Sequence, residues 1–592
     1  MSIAYPKPSA KRKPTSLLKR LDCGLWPVPK DQAADTAGLY KKADCNFALR
    51  WGRVFINFSL IMAENFFLTT AIDYTNAAPH IGHAYEKVLA DVIARYQRLK
   101  AAPTSTSRVH FLTGVDQHGQ KVQQSSEKQG IAPELFVEGL TQKFIALWEK
   151  LEIRYDRWAA TTDPVHKSCV QAILQRLFEE GQLYKAKHGG YYSVRQEQFL
   201  TDKERNAEGE FGPEWGEVVF IEEENYYFKL AEHRDWLLNF IDSHPDFVTP
   251  AFRQVELRNA VEKLAGDLCV SRPKSRLAWG IEFPFDPDFV TYVWFDALVN
   301  YISFAGFDPR PGADQSEFKA LWPALHVIGK DILVPAHGVY WPIMLHSLGF
   351  SDEQMPTLLV HGWWNIAGAK ISKSLGNSID PNELADRYGA ESLRYYLMSD
   401  IVTGKDADFS EERVLLRHNT ELANALGNLL NRALNMAARY RTGTLKKINA
   451  TDLPSDEATD LLRKLAEKDI PEAIATYTDA MDRFRIDSGL SQALGIALAC
   501  NGLVEATAPW KLAKDETQSA KLDAVLYHLA ESLRIIAILI SPVMPRSAQG
   551  IFDQLNWSAA FTLQDTTWGG LPDGHTLGTP TPLFPRLEAP KA

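Results

Sequence analysis

The stretch "NFFLTTAIDY" (65–74), followed by Pro79 and "IGHAYEKVLADVIARYQRLK", constrains the fold more than any other part of the chain. Its first segment is short, apolar, β-branched and aromatic and ends at a turn, which is the pattern of a buried strand. The second repeats apolar side chains at Ile81, Val88, Leu89, Val92, Ile93 and Tyr96, the spacing of a helix. "RVHFLTGVDQHG" (108–119) starts the cycle again, with one amphipathic helix expected from there to about residue 151. Strands alternating with helices imply a parallel sheet with right-handed crossovers.

The texture changes between about 184 and 288, where "HGGYYSVRQEQFLTDKERNAEGEFGPEWGEVVF" mixes glycine, aromatic and charged residues in the manner of a β-rich insertion. The α/β pattern resumes in "FVTYVWFDALVNYISF" (289–304) and "ALHVIGKDILVPAHGVYWPIML" (324–345), and from about 410 the periodicity is helical. The expected fold class is therefore α/β: a Rossmann-like parallel-sheet domain split by a β-rich insertion, followed by an all-α helix bundle. A chain of 592 residues has room for roughly three or four domains. The expected divisions are an extension at 1–61, the two halves of the sheet domain at 62–183 and 289–350, the insertion at 184–288, a stem-contact region with the "KISKS" loop at 351–412 and the bundle at 413–592.

The extension has no acidic residue before Asp22 but carries Lys7, Lys11, Arg12, Lys13, Lys19 and Arg20, a bias seen in organellar transit peptides. Pro6, Pro8, Pro14, Pro27 and Pro29 interrupt any amphipathic helix there, so the favoured expectation is a disordered extension with the folded protein starting at Met62. The apolar run "VFINFSLIMA" stops at Glu64, too short to span a bilayer, and a cytoplasmic protein without membrane contact is expected. A net charge of −10 excludes indiscriminate nucleic-acid binding and restricts any RNA contact to local basic patches. The five cysteines include no C-x-x-C pair, which suits a reducing compartment and offers no zinc knuckle.

Two segments carry chemistry. "HIGH" (80–83) follows the first strand, where an open α/β sheet binds ligands and where free N–H groups at a helix start attract phosphate. Gly82 leaves the backbone unobstructed, and His80 and His83 offer donors; helix caps or core histidines fit the same residues. "GAKISKSLGNSID" (368–380) places Lys370 and Lys373 between Gly368 and Gly376, as a closable cationic loop or as ordinary solvated lysines.

"HIGH" paired with "KISKS" (370–374) is the signature pair of class I aminoacyl-tRNA synthetases. With "AIDYTNAAPHIGHAYEKVLADVIAR", "FLTGVDQHGQKV", "YVWFDALVNYISF" and "VIGKDILVPAHGVYWPIML", the chain closely resembles the methionyl-tRNA synthetase family from about residue 65 to its C-terminal helices. That resemblance implies ATP-dependent activation of methionine to methionyl-adenylate with release of pyrophosphate, then transfer to the 3′-terminal adenosine of tRNA(Met), elongator and initiator alike. It implies His80, His83, Lys370 and Lys373 as catalytic groups, and an ATP site of His80, Gly82, His83, Gly329, Lys330, Asp331, Lys370, Ser372, Lys373 and Ser374. Mg²⁺ is expected with the triphosphate, though no dedicated carboxylate cage is visible.

The implied methionine pocket comprises Ile72, Tyr74, Asp116 for the α-ammonium, Trp294, Ala297, Tyr301 and His337. An aromatic slot suits a thioether, although Trp294 and Tyr301 also read as core aromatics and Asp116 as a turn cap. Asp296 is left either ribose-side or structural. Asn428 and Arg432, on one helix face, and Trp510 are implied to read the anticodon by stacking and base-edge hydrogen bonds, the alternative being ordinary interhelical packing. Many relatives carry zinc-binding cysteines in the insertion; here "YSVRQEQF" (192–199) puts Ser193 and Gln196 in their places, so no structural zinc is expected. No added β-barrel domain of the sort that dimerises some relatives is expected after the helices, and a monomer is expected. Synthetases for leucine, isoleucine or valine would need a larger editing insertion. A small nucleotidyltransferase would leave the lysine loop and bundle unexplained, and a catalytically dead RNA-binding relative has no need of a phosphate clamp.

Overall fold

The computed structural model of the chain describes residues 65–101, 108–195, 198–200, 202–206, 208–366, 368–370 and 379–588. The chain divides into Met1–Met62 and Ala63–Ala592; every described residue belongs to the second unit, and the expected extension 1–61 lies outside the described residues.

β1 (Asn65–Thr70) and β2 (Asp73–Tyr74) run in line along one edge of β3 (Arg108–Asp116), and α1 (Ile81–Lys100) makes the crossover. The pairing steps from Thr69↔Leu112 to Asp73↔Val115, so β1–β2 holds one residue more than β3 over the same length, a bulge at Ala71–Ile72. The single helix expected up to 151 is two, α2 (Gln120–Gln129) and α3 (Pro133–Lys150), because Gly130 takes a left-handed cap and Pro133 starts the next helix. β4 (Arg157–Ala160) closes the other edge of β3, and α4 (Pro164–Glu179) leads into the insertion.

The insertion is built on the long antiparallel pair β5 (Leu183–Ser193) and β7 (Val218–Phe228), flanked by β6 (Gln198–Leu200) and, later in the chain, β9 (Leu268–Cys269). Residues 184–288 are not uniformly β-rich, however. α5 (Arg234–Ser243) and α6 (Ala251–Val261) bracket β8 (Val248–Thr249), which returns to the main sheet as its parallel edge strand. The expected return to the main sheet at 289 is also corrected. β10 (Ser271–Pro273) pairs antiparallel with β11 (Phe289–Thr291), leaving α7 (Val293–Ser303) to pack on the sheet. β12 (Leu325–Gly329) and β13 (Thr357–His361) complete the parallel sheet beside β1.

This sheet buries both faces, and successive residues of its strands alternate between two cores. Leu68, Phe111, Val115, Val327 and Leu359 pack on the α1 side. Phe67, Leu112, Ile328, Leu358 and Val360 pack on the α7 side.

Beyond the sheet, β14 (Trp364–Ile366) pairs with β15 (Ala369–Lys370) and, across α8 (Ala390–Ser399), with β16 (Ala407–Asp408). The helical region follows, with α9 (Asn428–Arg441), α10 (Ile486–Thr507), the short α11 (Pro509–Leu512) and α12 (Ser519–Ile540), in which every residue from Leu522 onward is buried. Arg394 of α8, fully buried, bolts this region to the sheet domain. It pairs with Asp91 of α1 at 2.6 Å and donates to the carbonyls of Leu151, Pro542 and Val543.

Candidate active site

A cleft of about 260 Å³ opens at the carboxyl ends of β2, β12 and β13, against the N-terminus of α1. His80, Gly82 and His83 line it together with Ile72, Tyr74, Gly329 and Asp331, so three separate sequence segments converge. The histidines are both caps and cleft residues. Gly82 N–H donates to His80 Nδ1 and His80 N–H donates to His83 Nδ1, each at 3.1 Å, closing a reciprocal capping box. Because each Nδ1 accepts, each neutral ring carries its proton on Nε2, the donor a phosphate oxygen needs. A side chain at 82 is excluded by the cap itself, since a Cβ there would sit 2.9 Å from His80 Cε1.

Behind this cap lies a charge network that the sequence reading missed. Lys87 of α1, fully buried, reaches back to Asp73, Glu86 and the carbonyl of Ala71, each at 2.8 Å. Glu86 also has His361 Nε2 at 3.1 Å, at the end of β13. Asp73, Glu86 and His361 all line the cleft. Burial opposes the charge on Lys87, but Asp73 and Glu86 outweigh it and hold the ammonium above its ordinary range. Burial likewise opposes Glu86, yet Lys87 and His361 bring its carboxyl below normal. Asp73 comes off worst: burial outweighs its one bond to Lys87 and pushes its carboxyl up to about 7. The sequence signal was the adjacent Glu86–Lys87 pair in α1 between Tyr85 and Val88, both buried, a place where charges are costly unless paired.

The opposite face of the sheet carries the other expected pocket. Tyr74 and Asp116 are in register, and along β3 Asp116 falls on the same face as Leu112, toward α7. Trp294, Ala297 and Tyr301 share one face of α7, and the rings of Trp294 and His337 are 6.1 Å apart. His337 Nδ1 lies 3.0 Å from the carbonyl of Ile332, which can only accept, so Nδ1 carries the proton and Nε2 accepts the Tyr301 hydroxyl at 2.7 Å. Burial pushes His337 down to about 4, so it is neutral. Ile332 lines the cleft and thereby links the two pockets.

Asp296 is structural and not ribose-side. It is fully buried, with one oxygen 2.7 Å from His118 Nδ1 and the other 2.8 Å from His166 Nε2. Burial opposes its charge, but His118 and then His166 prevail and hold its carboxyl at about 2. His118 N–H contacts Asp116 at 3.3 Å, so the buried carboxylate fixes the turn that carries Asp116, which itself does not line the cleft.

Of the remaining expected residues, Lys330 is not among those lining the cleft. Its ammonium pairs with Asp406 at 2.6 Å and sits 3.9 Å above the Trp363 ring, whose indole N–H donates to Asp331 at 3.1 Å. The backbone of Lys370 pairs with Asn365, next to the cleft residue Trp364. Ser372, Lys373 and Ser374 lie outside the described residues. Downstream, the carbonyl of Ile379 accepts from Ile81 N–H at 3.2 Å, one residue from His80. Ser193 is buried and donates to the carbonyl of Trp215, while Gln196 lies outside the described residues. No group of three or more histidine, cysteine or acidic side chains suited to a metal occurs among the described residues. In the helical region Asn428 is exposed on α9, and Arg432 pairs with Glu505 at 2.7 Å. Glu505 lies near the end of α10, five residues before the exposed Trp510, so these groups share one end of the bundle.

The family model for tRNA synthetases class I (M) matches residues 66–210 and 216–434, and that for the anticodon binding domain of methionyl tRNA ligase matches 453–591. The methionine--tRNA ligase of Lactococcus lactis is 38% identical over 540 residues, covering 89% of this chain and 78% of its own. That of Thermosynechococcus vestitus is 37% identical over 542 residues, covering 89% and 99%. Among solved structures, Mycobacterium tuberculosis methionyl-tRNA synthetase in complex with methionyl-adenylate superposes with a TM-score of 0.80 at 35% identity, over 88% of this chain and all of that one.

Proposed function

The chain belongs to the methionine-specific class I tRNA synthetases, and from that premise we propose how its own residues carry methionine--tRNA ligation. The enzyme joins methionine to ATP as methionyl-adenylate with release of pyrophosphate, and then transfers methionine to tRNA.

The observation that carries the residue assignment is the single cleft joining the His80–His83 cap to Gly329 and Asp331, with Ile72 and Tyr74 in its wall. When the methionine carboxylate attacks the α-phosphate, charge grows on oxygens that need donors already in place. His80 and His83 supply Nε2–H groups, and the start of α1 adds backbone N–H groups and its dipole. Gly329 and Asp331 take the nucleoside end. Lys370, Ser372, Lys373 and Ser374 act on the departing pyrophosphate, with Mg²⁺ arriving on the triphosphate as part of the substrate.

Methionine lies across the bulge with its side chain against Trp294, Ala297 and Tyr301. The neutral His337 keeps that wall uncharged, and Asp116 takes the ammonium. In the second step a ribose hydroxyl of the terminal tRNA adenosine attacks the activated carbonyl; no covalent enzyme intermediate is needed. Asn428, Arg432 and Trp510 hold the anticodon, for which Arg432 must exchange Glu505 for a base or phosphate. Elongator and initiator tRNA are both substrates and the enzyme acts as a monomer. The location is the cytoplasm, or an organelle if residues 1–61 address the chain there.

The test is methionine-dependent ATP–pyrophosphate exchange. His80→Ala, His83→Ala and Lys373→Ala are each expected to lower the rate by roughly 10²–10³-fold. Exchange supported by leucine or valine in preference to methionine, or full activity in all three variants, overturns the assignment.

A further inference from the structure

Among the described residues lining the cleft, three buried polar atoms make no hydrogen bond, Asp73 Oδ2, the Tyr85 hydroxyl and Trp364 Nε1, and of these Asp73 Oδ2 alone belongs to a carboxylate. Asp73 is only 5% exposed; its Oδ1 accepts from Lys87 at 2.8 Å, while its buried Oδ2 makes no hydrogen bond. A buried acceptor without a donor costs free energy that a ligand can recover, and Asp73 is among the side chains facing the cavity. The bulge at Ala71–Ile72 is what aims it there. Asp73 comes into register with Val115 and so onto the α1 face with His80 and His83, while Tyr74, in register with Asp116, turns to the other face.

We propose that Asp73, held by Lys87, is a further nucleotide-positioning residue whose free carboxylate oxygen accepts a hydrogen bond from a ribose hydroxyl of bound ATP. The inference rests on the reading that this cleft takes ATP. An ionised triphosphate has no donor to offer and is repelled by a carboxylate, so the match must come from the nucleoside end. The ribose is the nucleoside donor closest to the α-phosphate, and Asp73 flanks Ile72 and Tyr74, where the phosphate and the amino acid meet. The methionine ammonium is the competing donor, but its pocket lies on the Tyr74–Asp116 face. The raised carboxyl of Asp73 agrees with a site left short of one donor until the ligand arrives, since Lys87 also serves Glu86, and Glu86 has His361 besides.

The experiment is pyrophosphate exchange with ATP, 2′-deoxyATP and 3′-deoxyATP, in the wild type, Asp73→Ala and the nearly isosteric Asp73→Asn, with thermal unfolding of each protein recorded. The wild type is expected to prefer ATP over one of the two deoxynucleotides in kcat/KM by roughly ten- to a hundredfold. Asp73→Ala is expected to lower kcat/KM for ATP by a similar factor while leaving that deoxynucleotide unchanged, so that the preference disappears. Asp73→Asn should lose most of it too, and it supplies the reading if the alanine variant fails to fold. Equal losses with all three nucleotides mean a structural role and overturn the proposal. So does a change confined to KM for methionine, which assigns Oδ2 to the ammonium, or one confined to transfer onto tRNA. A wild type with no exchange at all fails the ATP reading itself, which is a separate outcome.

Discussion

Substituting Asp296 separates a structural carboxylate from a catalytic one, and the expected cost follows from its two partners. In Asp296→Asn the amide oxygen can still accept from His118 Nδ1–H, and the amide nitrogen then faces His166 Nε2. His166 can offer a lone pair there by moving its proton to Nδ1, because Ser303 Oγ, 2.8 Å from Nδ1, accepts as readily as it donates. Both hydrogen bonds survive and only their charge assistance is lost, at about 1–1.5 kcal/mol apiece, or roughly 2–3 kcal/mol in all. In Asp296→Ala both histidines lose their partner inside a sealed core, and about 3–5 kcal/mol is expected. An independent route reaches the smaller figure. Asp296 is held at about 2 against an ordinary 3.8. A depressed acid stabilises the fold above its unfolded value and loses that contribution as the pH falls through the folded one, here about 2.5 kcal/mol between roughly pH 4 and 2. Urea unfolding followed by tryptophan fluorescence at pH 7 should therefore rank wild type above Asn above Ala, and the wild type–Asn gap should narrow toward pH 3. Equal destabilisation by the two variants, or less than about 1 kcal/mol for either, refutes the buried-bridge account.

Lys87→Met should destabilise by about 3–5 kcal/mol at pH 8 by stranding two carboxylates. Because Asp73 is already raised to about 7, the variant should regain stability as the pH drops toward 6, and a urea midpoint that does not move with pH contradicts this. Arg394→Ala leaves Asp91 short of a partner and three carbonyls without a donor between the sheet domain and the helices; a loss of about 3–5 kcal/mol in urea unfolding is expected, with earlier proteolysis between the two. His337 and His528 are both buried and pushed down to about 4, so the folded state binds fewer protons than the unfolded one between roughly pH 6.5 and 4. Stability should fall on acidification through that window, and His528→Gln should soften the slope in a thermal series. Trp510→Ala should raise KM for tRNA by roughly tenfold or more while leaving pyrophosphate exchange unchanged; equal loss in both assays refutes an anticodon role.

The parts of the fold that were legible are those with a strong period. β1 and β3 announce themselves as short apolar runs ending at turns and α1 through three-to-four spacing, and the two cores follow from strands apolar on both sides. The insertion was visible only as a change of texture. Pairs as short as Val248–Thr249 carry no period to read, so their return to the main sheet depends on which edge is open. In the site, the histidine cap could be read because its residues are adjacent in sequence. Of the Asp73–Lys87–Glu86–His361 network only the adjacent Glu86–Lys87 pair could be seen; its links to Asp73 and His361, like the His118–Asp296–His166 bridge, join residues 14 to 275 positions apart whose cost only burial reveals. Nor could the sequence show that Asp406 and the Trp363 ring engage the Lys330 ammonium, since both lie more than 30 residues away.

The bulge at Ala71–Ile72 unites these observations. Were the same sequence to continue the ladder past Thr69 with no bulge, β2 would meet β3 one step out of phase, with Ile72 in register with Val115 and Asp73 with Asp116. Ile72 would then fill the α1 side, and Asp73 would join Asp116 on the α7 side. Lys87 would lose a counter-ion and the amino-acid face would hold two carboxylates. The bulge therefore keeps a nucleotide face, donor-rich and balanced by a buried lysine, apart from an aromatic amino-acid face with one carboxylate. Deleting Ala71 would remove the bulge yet leave Asp73 opposite Val115 and Tyr74 opposite Asp116, so both faces should keep their carboxylates, whereas point substitutions at Asp73 or Asp116 should each damage one.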